Sequence, residues 1–190
     1  MTEDDVLIVK RVLAGSRDDF ALLVGRYKNL VFALAYRFFD DASRAEDVAQ
    51  ETFVKAYKRL ESFRIEYDFK NWICAITLNV CRDMKRRDAH PARSPAGLST
   101  ETAENIAFAS RDKFSASSAQ KSLIRACVAN LPPKYRGVIV LRYFDGKSYE
   151  EIAEITALPS GTVKTYIFRA QKMLYEMYVD LRKRAQAALV

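Results

Sequence analysis

The sequence predicts an all-α fold: two helical domains, residues 1–88 and 119–190, joined by a flexible linker over residues 89–118, with a helix-turn-helix in the C-terminal domain. Three observations lead there. Apolar residues recur at the three- and four-residue spacing of a helix face through most of the chain. Only six Gly and five Pro occur among 190 residues, and they fall mostly between the periodic stretches. The segment AHPARSPAGLSTETAENIAFASRDKFSASS (89–118) changes character, with Pro, Ala, Ser and Thr dominant and three basic against three acidic residues.

Composition bounds the function. Hydrophobic residues make up 49% of the chain, enough for a buried core. The net charge of +7 is uneven: residues 1–88 carry 16 basic and 15 acidic side chains, residues 119–190 carry 12 and 6. A basic excess in the half with the helix-turn-helix favours a polyanionic partner. Cys74, Cys81 and Cys127 are an odd, scattered set, which argues against a disulfide framework or a zinc motif. They read as small core residues, and the single histidine, His90, does not make a histidine-based metal site. No metal or cofactor is implied. No apolar run reaches a membrane span and no signal peptide opens the sequence, so the expected location is cytoplasmic.

The elements follow in order. Residues 3–14 form an amphipathic helix with Val6, Leu7, Val9, Val12 and Leu13 apolar, stopped by Gly15. Ser16 with Asp19 has capping-box character and starts a long helix to about Phe39, with a broad stripe from Phe20 to Phe38. Asp40-Asp41 ends it and suits the positive N-terminus of the next helix. That helix, about Ser43 to Leu60, places Ala49, Phe53, Ala56, Tyr57 and Leu60 on one face and Asp47, Gln50, Glu51, Val54 and Lys58 on the other. Periodicity favours a core helix with a solvated back; a partner-docking face with an acidic centre is the alternative. Residues 61–70 break the pattern. A helix from Phe69 to about Arg87 then carries Trp72, Ile73, Ile76, Val80 and Met84 and ends in cations. Those cations either complement the helix dipole or, beside aromatics, hold an unstacked single strand. After the linker, a helix spans about Ala119 to Asn130, Leu131-Pro132-Pro133 breaks it, and another runs from about Lys134 to Phe144 with Val138, Ile139, Leu141 and Tyr143 apolar. Asp145-Gly146-Lys147 is a turn.

Ser148 to Met173 is the most informative stretch. Ser148 with Glu151 has the S-x-x-E capping-box spacing, Leu158-Pro159-Ser160-Gly161 breaks the first helix, and a second starts at about Ser160 to Thr162 and runs to about Arg184. Val163, Ile167, Ala170 and Leu174 fall on one face of it; Lys164, Thr165, Phe168, Arg169 and Lys172 fall on the other. Cations, a hydroxyl and an outward aromatic on one helix face suit the DNA major groove. A helical hairpin with a solvated basic face is the bland alternative.

Two motifs in this order and separation resemble the extracytoplasmic-function (ECF) sigma factors, minimal bacterial RNA polymerase initiation subunits. They are AEDVAQETFVKAYKRLESF with FKNWICAITLNVCRDMKRR in the N-terminal half, and LPPKYRGVIVLRYFDGKSYEEIAEITALPSGTVKTYIFRAQKML in the C-terminal half. The resemblance covers nearly the whole chain apart from the linker and the last residues. It implies that Asp47, Gln50, Glu51 and Phe53 belong to the helix that docks on core polymerase, Phe53 supporting that helix from the core side. It implies that Arg64, Tyr67, Phe69, Asn71, Trp72, Asn79, Arg82, Lys85 and Arg86 belong to the segment that opens and reads the −10 element, with a loop at Ile65 to Lys70 holding a flipped base. It implies that Ser160, Thr162, Lys164, Thr165, Tyr166, Phe168, Arg169 and Lys172 serve the −35 element in duplex form. The implied partners are core RNA polymerase, through the β′ clamp helices and the β subunit, promoter DNA, and an anti-sigma factor that holds such proteins inactive. No catalysis and no membrane insertion of its own are implied.

Two other classes compete. A stand-alone helix-turn-helix regulator would bind duplex DNA without polymerase, usually as a dimer on paired half-sites. A metal-dependent nuclease would use Glu46, Asp47 and Glu51, but no further acidic cluster supports a two-metal site.

Overall fold

A computed structural model describes residues 3–89 and 118–187. Among them are eight α-helices and no strand: α1 Glu3–Leu13, α2 Phe20–Phe39, α3 Ala42–Lys58, α4 Phe69–Ala89, α5 Ser118–Asn130, α6 Pro133–Ile139, α7 Tyr149–Thr156 and α8 Ser160–Ala187. Residues 90–117, nearly all of the expected linker, lie outside the described residues.

In the N-terminal unit α2 is the central rod. Leu23, Tyr27, Val31, Leu34, Ala35 and Phe38 bury one face of it against α3 and α4. α1 is tied to α2 through a buried carboxylate: Tyr27 donates its hydroxyl to Asp5 at 2.7 Å, and Arg26 pairs with the same side chain. Burial and that hydrogen bond push the Tyr27 phenol well up. The expected capping box at Ser16 is absent. Ser16 makes no side-chain cap, and a 3-10 turn at Arg17–Asp19 leads into α2 instead. At the other end Asp40 takes a left-handed conformation (φ 54°), its N–H bonding Tyr36 O, and the Asp41 carboxylate accepts from Arg44 N at 3.1 Å to cap α3. One short Asp-Asp junction thus ends one helix and begins the next.

α3 is rotated from the expected register. Its buried stripe is Ala45, Val48, Thr52 and Ala56; Ala49 and Phe53 sit on the flank, and Tyr57 is exposed, edge-on to Phe20. Small side chains let α3 approach α2 closely, which the bulkier Phe-Tyr face would prevent. α4 buries Phe69, Ile73, Cys74, Ile76, Leu78, Val80 and Cys81. Cys74, Cys81 and Cys127 are buried free thiols, in keeping with core residues. Burial pushes Cys74 and Cys81 up to about 12.

In the C-terminal unit Pro133 starts α6 at a position where its missing N–H costs nothing. The helix then widens into one π-turn, Val140–Phe144, rather than running on as an α-helix. Tyr143 of that turn, grouped in the sequence with the apolar Val138, Ile139 and Leu141, is 57% exposed, whereas those three are buried. Gly146 (φ 66°) makes the turn into α7. The capping box at Ser148 is complete: Glu151 N donates to Ser148 Oγ at 3.1 Å and Ser148 N donates to Glu151 Oε2 at 2.8 Å. Ala157 (φ 53°) closes α7, and α8 begins at Ser160. The two units pack together, α2 and α4 against α5, α6, α7 and the π-turn, with one apolar core continuous through both.

Candidate nucleic-acid and polymerase interfaces

Three surfaces carry the expected residues. On α3, Asp47, Gln50 and Val54 are exposed, and Phe53 is half-buried against the core behind them. Glu51 is half-buried and engaged: Lys55 pairs with Oε1 at 2.8 Å and Arg87 of α4 with Oε2 at 2.8 Å. Burial works against the charge of Glu51, but the hydrogen bonds from Lys55 and Arg87 outweigh it and hold the carboxyl below its ordinary value. The Lys55 partner is legible from the i, i+4 spacing. Arg87, 36 residues away, is not.

The second surface is the loop before α4 and the helix itself. Arg64, Ile65 and Tyr67 are exposed. The turn is held by Tyr67 N donating to Arg64 O at 3.0 Å, and Asp68 caps α4 through Lys70 N at 2.7 Å. The fixed start of α4 leaves this loop as a short rim that carries Tyr67 and charges of both signs, Arg64 and Lys70 against Glu66 and Asp68. Phe69 does not reach it: the ring is fully buried, edge-on to Phe63 at 5.3 Å and beside Tyr27. Trp72 packs on Phe63 and Phe69 at 5.1 and 5.4 Å yet stays half-exposed, so it is both core and surface. Further along, Asn79 is exposed and accepts from Arg82 Nη1 at 3.1 Å. Lys85 is half-buried, and Arg86 is exposed and paired with Asp83 at 2.9 Å. Asn71 is 7% exposed; its amide accepts from Lys147 Nζ at 2.8 Å and donates to Glu154 at 3.3 Å. Lys147 and Glu154 belong to the C-terminal unit, and no sequence motif marked that pairing.

The third surface is the outer face of α8. Val163, Ile167 and Ala170 are buried, and Lys164, Thr165, Phe168, Arg169 and Lys172 are exposed, as the 3.6-residue period requires. Phe168 is 69% exposed, an expensive place for a phenyl ring unless something covers it. Ser160 opens the helix exposed, and Thr162 is half-buried. Tyr166 is half-buried, edge-on to Tyr135 at 5.1 Å. The Tyr135 phenol is drawn below its ordinary value, chiefly by the neighbouring Arg169 guanidinium. Lys164 lies over the Tyr149 ring at 5.8 Å, beside Arg142 over the same ring at 4.7 Å. Together these make a cationic and aromatic ridge on a rigid helix.

Among the described residues no group of His, Cys, Asp or Glu could hold a metal ion, and no helix is long and apolar enough to cross a membrane.

Comparison with known proteins bears on the same two units. Sigma-70 region 2 matches residues 23–90, and Sigma-70, region 4 matches residues 121–174. The ECF RNA polymerase sigma factor SigW of Bacillus subtilis (strain 168) is 36% identical over 179 residues, 91% of this chain and 96% of that protein. The RNA polymerase sigma-H factor of Pseudomonas aeruginosa is 34% identical over 194 residues, 96% of this chain and 98% of that one. Among solved structures, CnrH in complex with the cytosolic domain of CnrY has a TM-score of 0.63 at 24% identity, over 90% of this chain and 94% of that one. The sigma factor RpoE in complex with the anti-sigma factor NepR from Bartonella quintana has a TM-score of 0.59 at 24% identity, over 84% and 96%. At that identity the two structures bear on the fold, whereas the relatives in sequence extend over nearly the whole chain. A helix-turn-helix with a solvated cationic ridge, an all-helical partner unit and these relatives agree: the chain belongs to the ECF group of the sigma-70 family of RNA polymerase sigma factors.

Proposed function

We propose that this protein docks on core RNA polymerase through the exposed face of α3 and directs initiation by reading two promoter elements, one with each unit. The family membership carries this reading, and the arrangement of the surfaces supports it. Asp47 and Gln50 stand free on a helix whose other side is anchored by small residues, as a docking face requires. The ridge of α8 is built to enter a major groove, with Lys164, Thr165, Phe168 and Arg169 in its first turns. Tyr67 and the half-exposed Trp72 offer stacking surfaces, and Arg64 a cation, to an unpaired strand. Holding both contacts on one chain makes the second effectively intramolecular, which raises avidity without new contacts. An anti-sigma factor is the regulatory partner this reading includes, since the RpoE structure of like fold is a complex with one. A subunit of bacterial polymerase works in the cytoplasm, and the protein contributes recognition and melting rather than a reaction of its own.

The test is co-elution of the purified protein with bacterial core RNA polymerase, wild type against the triple substitution Asp47→Ala, Gln50→Ala, Glu51→Ala. Binding by wild type and its loss in the triple variant, with helical content unchanged, is the expected result. Failure of the wild type to bind core would sink the reading.

A further inference from the structure

A helix that lies in a groove of duplex DNA meets a row of phosphates along each flank, so cations are useful at both edges of its outward face. Going round α8 at 100° per residue, Lys164, Phe168, Thr165, Arg169 and Tyr166 follow in that order before the buried Ala170, Val163 and Ile167. At the Lys164 edge, Arg142 of the π-turn lies over the Tyr149 ring at 4.7 Å, a cation on an aromatic seat. Beyond Arg169 the opposite edge ends in Tyr166, which carries no charge. Its ring is half-buried and stands edge-on to Tyr135 of α6 at 5.1 Å, turned from the outward face that Phe168 occupies. The cation at this edge comes from α6. Lys134 is exposed, and its Nζ lies 4.9 Å from the centre of the Tyr135 ring and 5.9 Å from that of Tyr166.

Carboxylates and rings hold a lysine to different ends. A carboxylate cancels the charge; an aromatic face attracts it through the ring quadrupole and leaves the charge whole. Tyr135 is 5% exposed and belongs to the core, so the seat is rigid. Two rings sharing one ammonium restrict a flexible four-carbon stem before anything binds, and part of the ordering cost of a later contact is met in advance. The ammonium has three N–H donors, which cannot all point into the rings, and the side chain is exposed, so a donor is left for an anion. Phosphate accepts a lysine as a point charge, without the fixed geometry that a base edge demands. No period or motif singles out Lys134 in the sequence, because it joins the surface of α8 only through Tyr135 and Tyr166.

We propose that Lys134, seated on Tyr135 and Tyr166, holds a backbone phosphate on the Arg169 side of the duplex, and that Tyr166 is the seat of this lysine rather than a reader of bases. The inference rests on the duplex-reading role proposed for α8 and extends that surface from α8 onto α6. Lys134 adds affinity and orientation on every sequence alike and contributes no base preference. Tyr166 acts through Lys134 and is a positioning residue.

The experiment measures, across a salt series, how holoenzyme formed from the full chain and bacterial core polymerase binds duplexes that the wild-type holoenzyme selects from a random-sequence pool. Lys134→Ala lowers the slope of log affinity against log salt by about 1 and weakens selected and unselected duplexes by the same factor. Lys134→Arg keeps the charge and restores the slope. Tyr166→Phe keeps the ring and leaves the slope at its wild-type value. Tyr166→Ser gives part of the Lys134→Ala loss, and adds nothing in the Lys134→Ala background. Neutral methylphosphonate linkages, introduced one at a time, locate the contact: at one linkage the neutral group weakens the wild type and leaves Lys134→Ala unaffected. Circular dichroism of each variant checks that its helical content is retained. A wild-type slope in Lys134→Ala, or equal sensitivity of Lys134→Ala and wild type at every neutral linkage, overturns the phosphate contact. A Tyr166→Ser loss that persists undiminished in the Lys134→Ala background overturns the seat. A wild type that forms no holoenzyme or selects no duplex overturns the role proposed for α8 instead; the salt slope of the free chain on mixed-sequence duplex, wild type against Lys134→Ala, then still judges the phosphate contact.

Discussion

Glu151 joins the two features that matter most at the level of single side chains. Its Oε2 closes the capping box on Ser148 N, and its Oε1 accepts from Lys147 at 2.7 Å. The Lys147 hydrogen bond first, and the Ser148 backbone second, hold the Glu151 carboxyl at about 2, against an ordinary 4.5. The folded value is the depressed one, so the stabilisation is fully present above about pH 4.5 and is lost as pH falls towards 2. The stability gap between wild type and Glu151→Gln, from urea unfolding followed by far-UV circular dichroism, closes across that window; a gap of constant size would contradict it. The carboxylate is 40% exposed, so solvent screening keeps the gap small. The Ser148–Glu151 half of this cluster is legible in the sequence because capping chemistry is local. Its extension to Asn71 is not. Asn71 reads as a strand-facing amide at the start of α4, but the fold engages it with Lys147, 76 residues away. Nothing in a periodic pattern records so distant a partner.

Among the elements, α8 follows its sequence pattern from Val163 to Ala170, with only Leu174 of the expected apolar face left half-buried, because a two-faced helix is written in a 3.6-residue period. α3 shows the limit of the same logic. Two stripes of comparable apolarity compete on it, and close approach to α2 selects the small-residue one, a tertiary choice. The π-turn at Val140–Phe144 is a further limit, since one extra residue in a turn leaves no compositional mark, and Tyr143 within it is exposed while Val140 and Leu141 are buried. On the proposed reading, the geometry of α8 also separates the side chains that would read bases from those that would hold the backbone. At 1.5 Å per residue Lys164 stands about 6 Å along the axis from Ser160, and Lys172 about 18 Å along it, beyond a groove about 12 Å wide. Lys164→Ala therefore shifts base preference within the −35 duplex by about 1–3 kcal/mol at one position. Lys172→Ala weakens all sequences alike and lowers the slope of log affinity against log salt by about 1. Filter binding of the holoenzyme across a salt series separates them; a sequence-dependent effect of Lys172→Ala would contradict the assignment.

Across the whole molecule, two units that sequence motifs describe separately share one apolar core, with Phe38 and Leu78 on one side and Val138, Ile139 and Leu141 on the other. A shared core couples unfolding: exposing one side of the seam strips cover from the other, so neither unit keeps its full stability alone. The molecule carries its own reporter for this. Trp72 is its one tryptophan and lies in the N-terminal unit against Phe63 and Phe69, so fluorescence follows that unit, while far-UV dichroism follows the helices of both. In the wild type the two signals lose amplitude at the same urea concentration, with the same slope, since one surface is exposed in one step. Gly137 of α6 faces α4 so closely that a Cβ there lies 3.5 Å from Leu78 Cδ2 and Arg82 Nη2; in Gly137→Phe the two units are wedged apart, each unfolds on its own, and the fluorescence midpoint departs from the dichroism midpoint. The direction of that departure identifies the weaker unit. If it is the C-terminal one, the dichroism curve falls first while the Trp72 signal holds, and the N-terminal unit is then the platform on which the C-terminal unit rests. Separate midpoints already present in the wild type would mean that the contact between the units aligns them without coupling them.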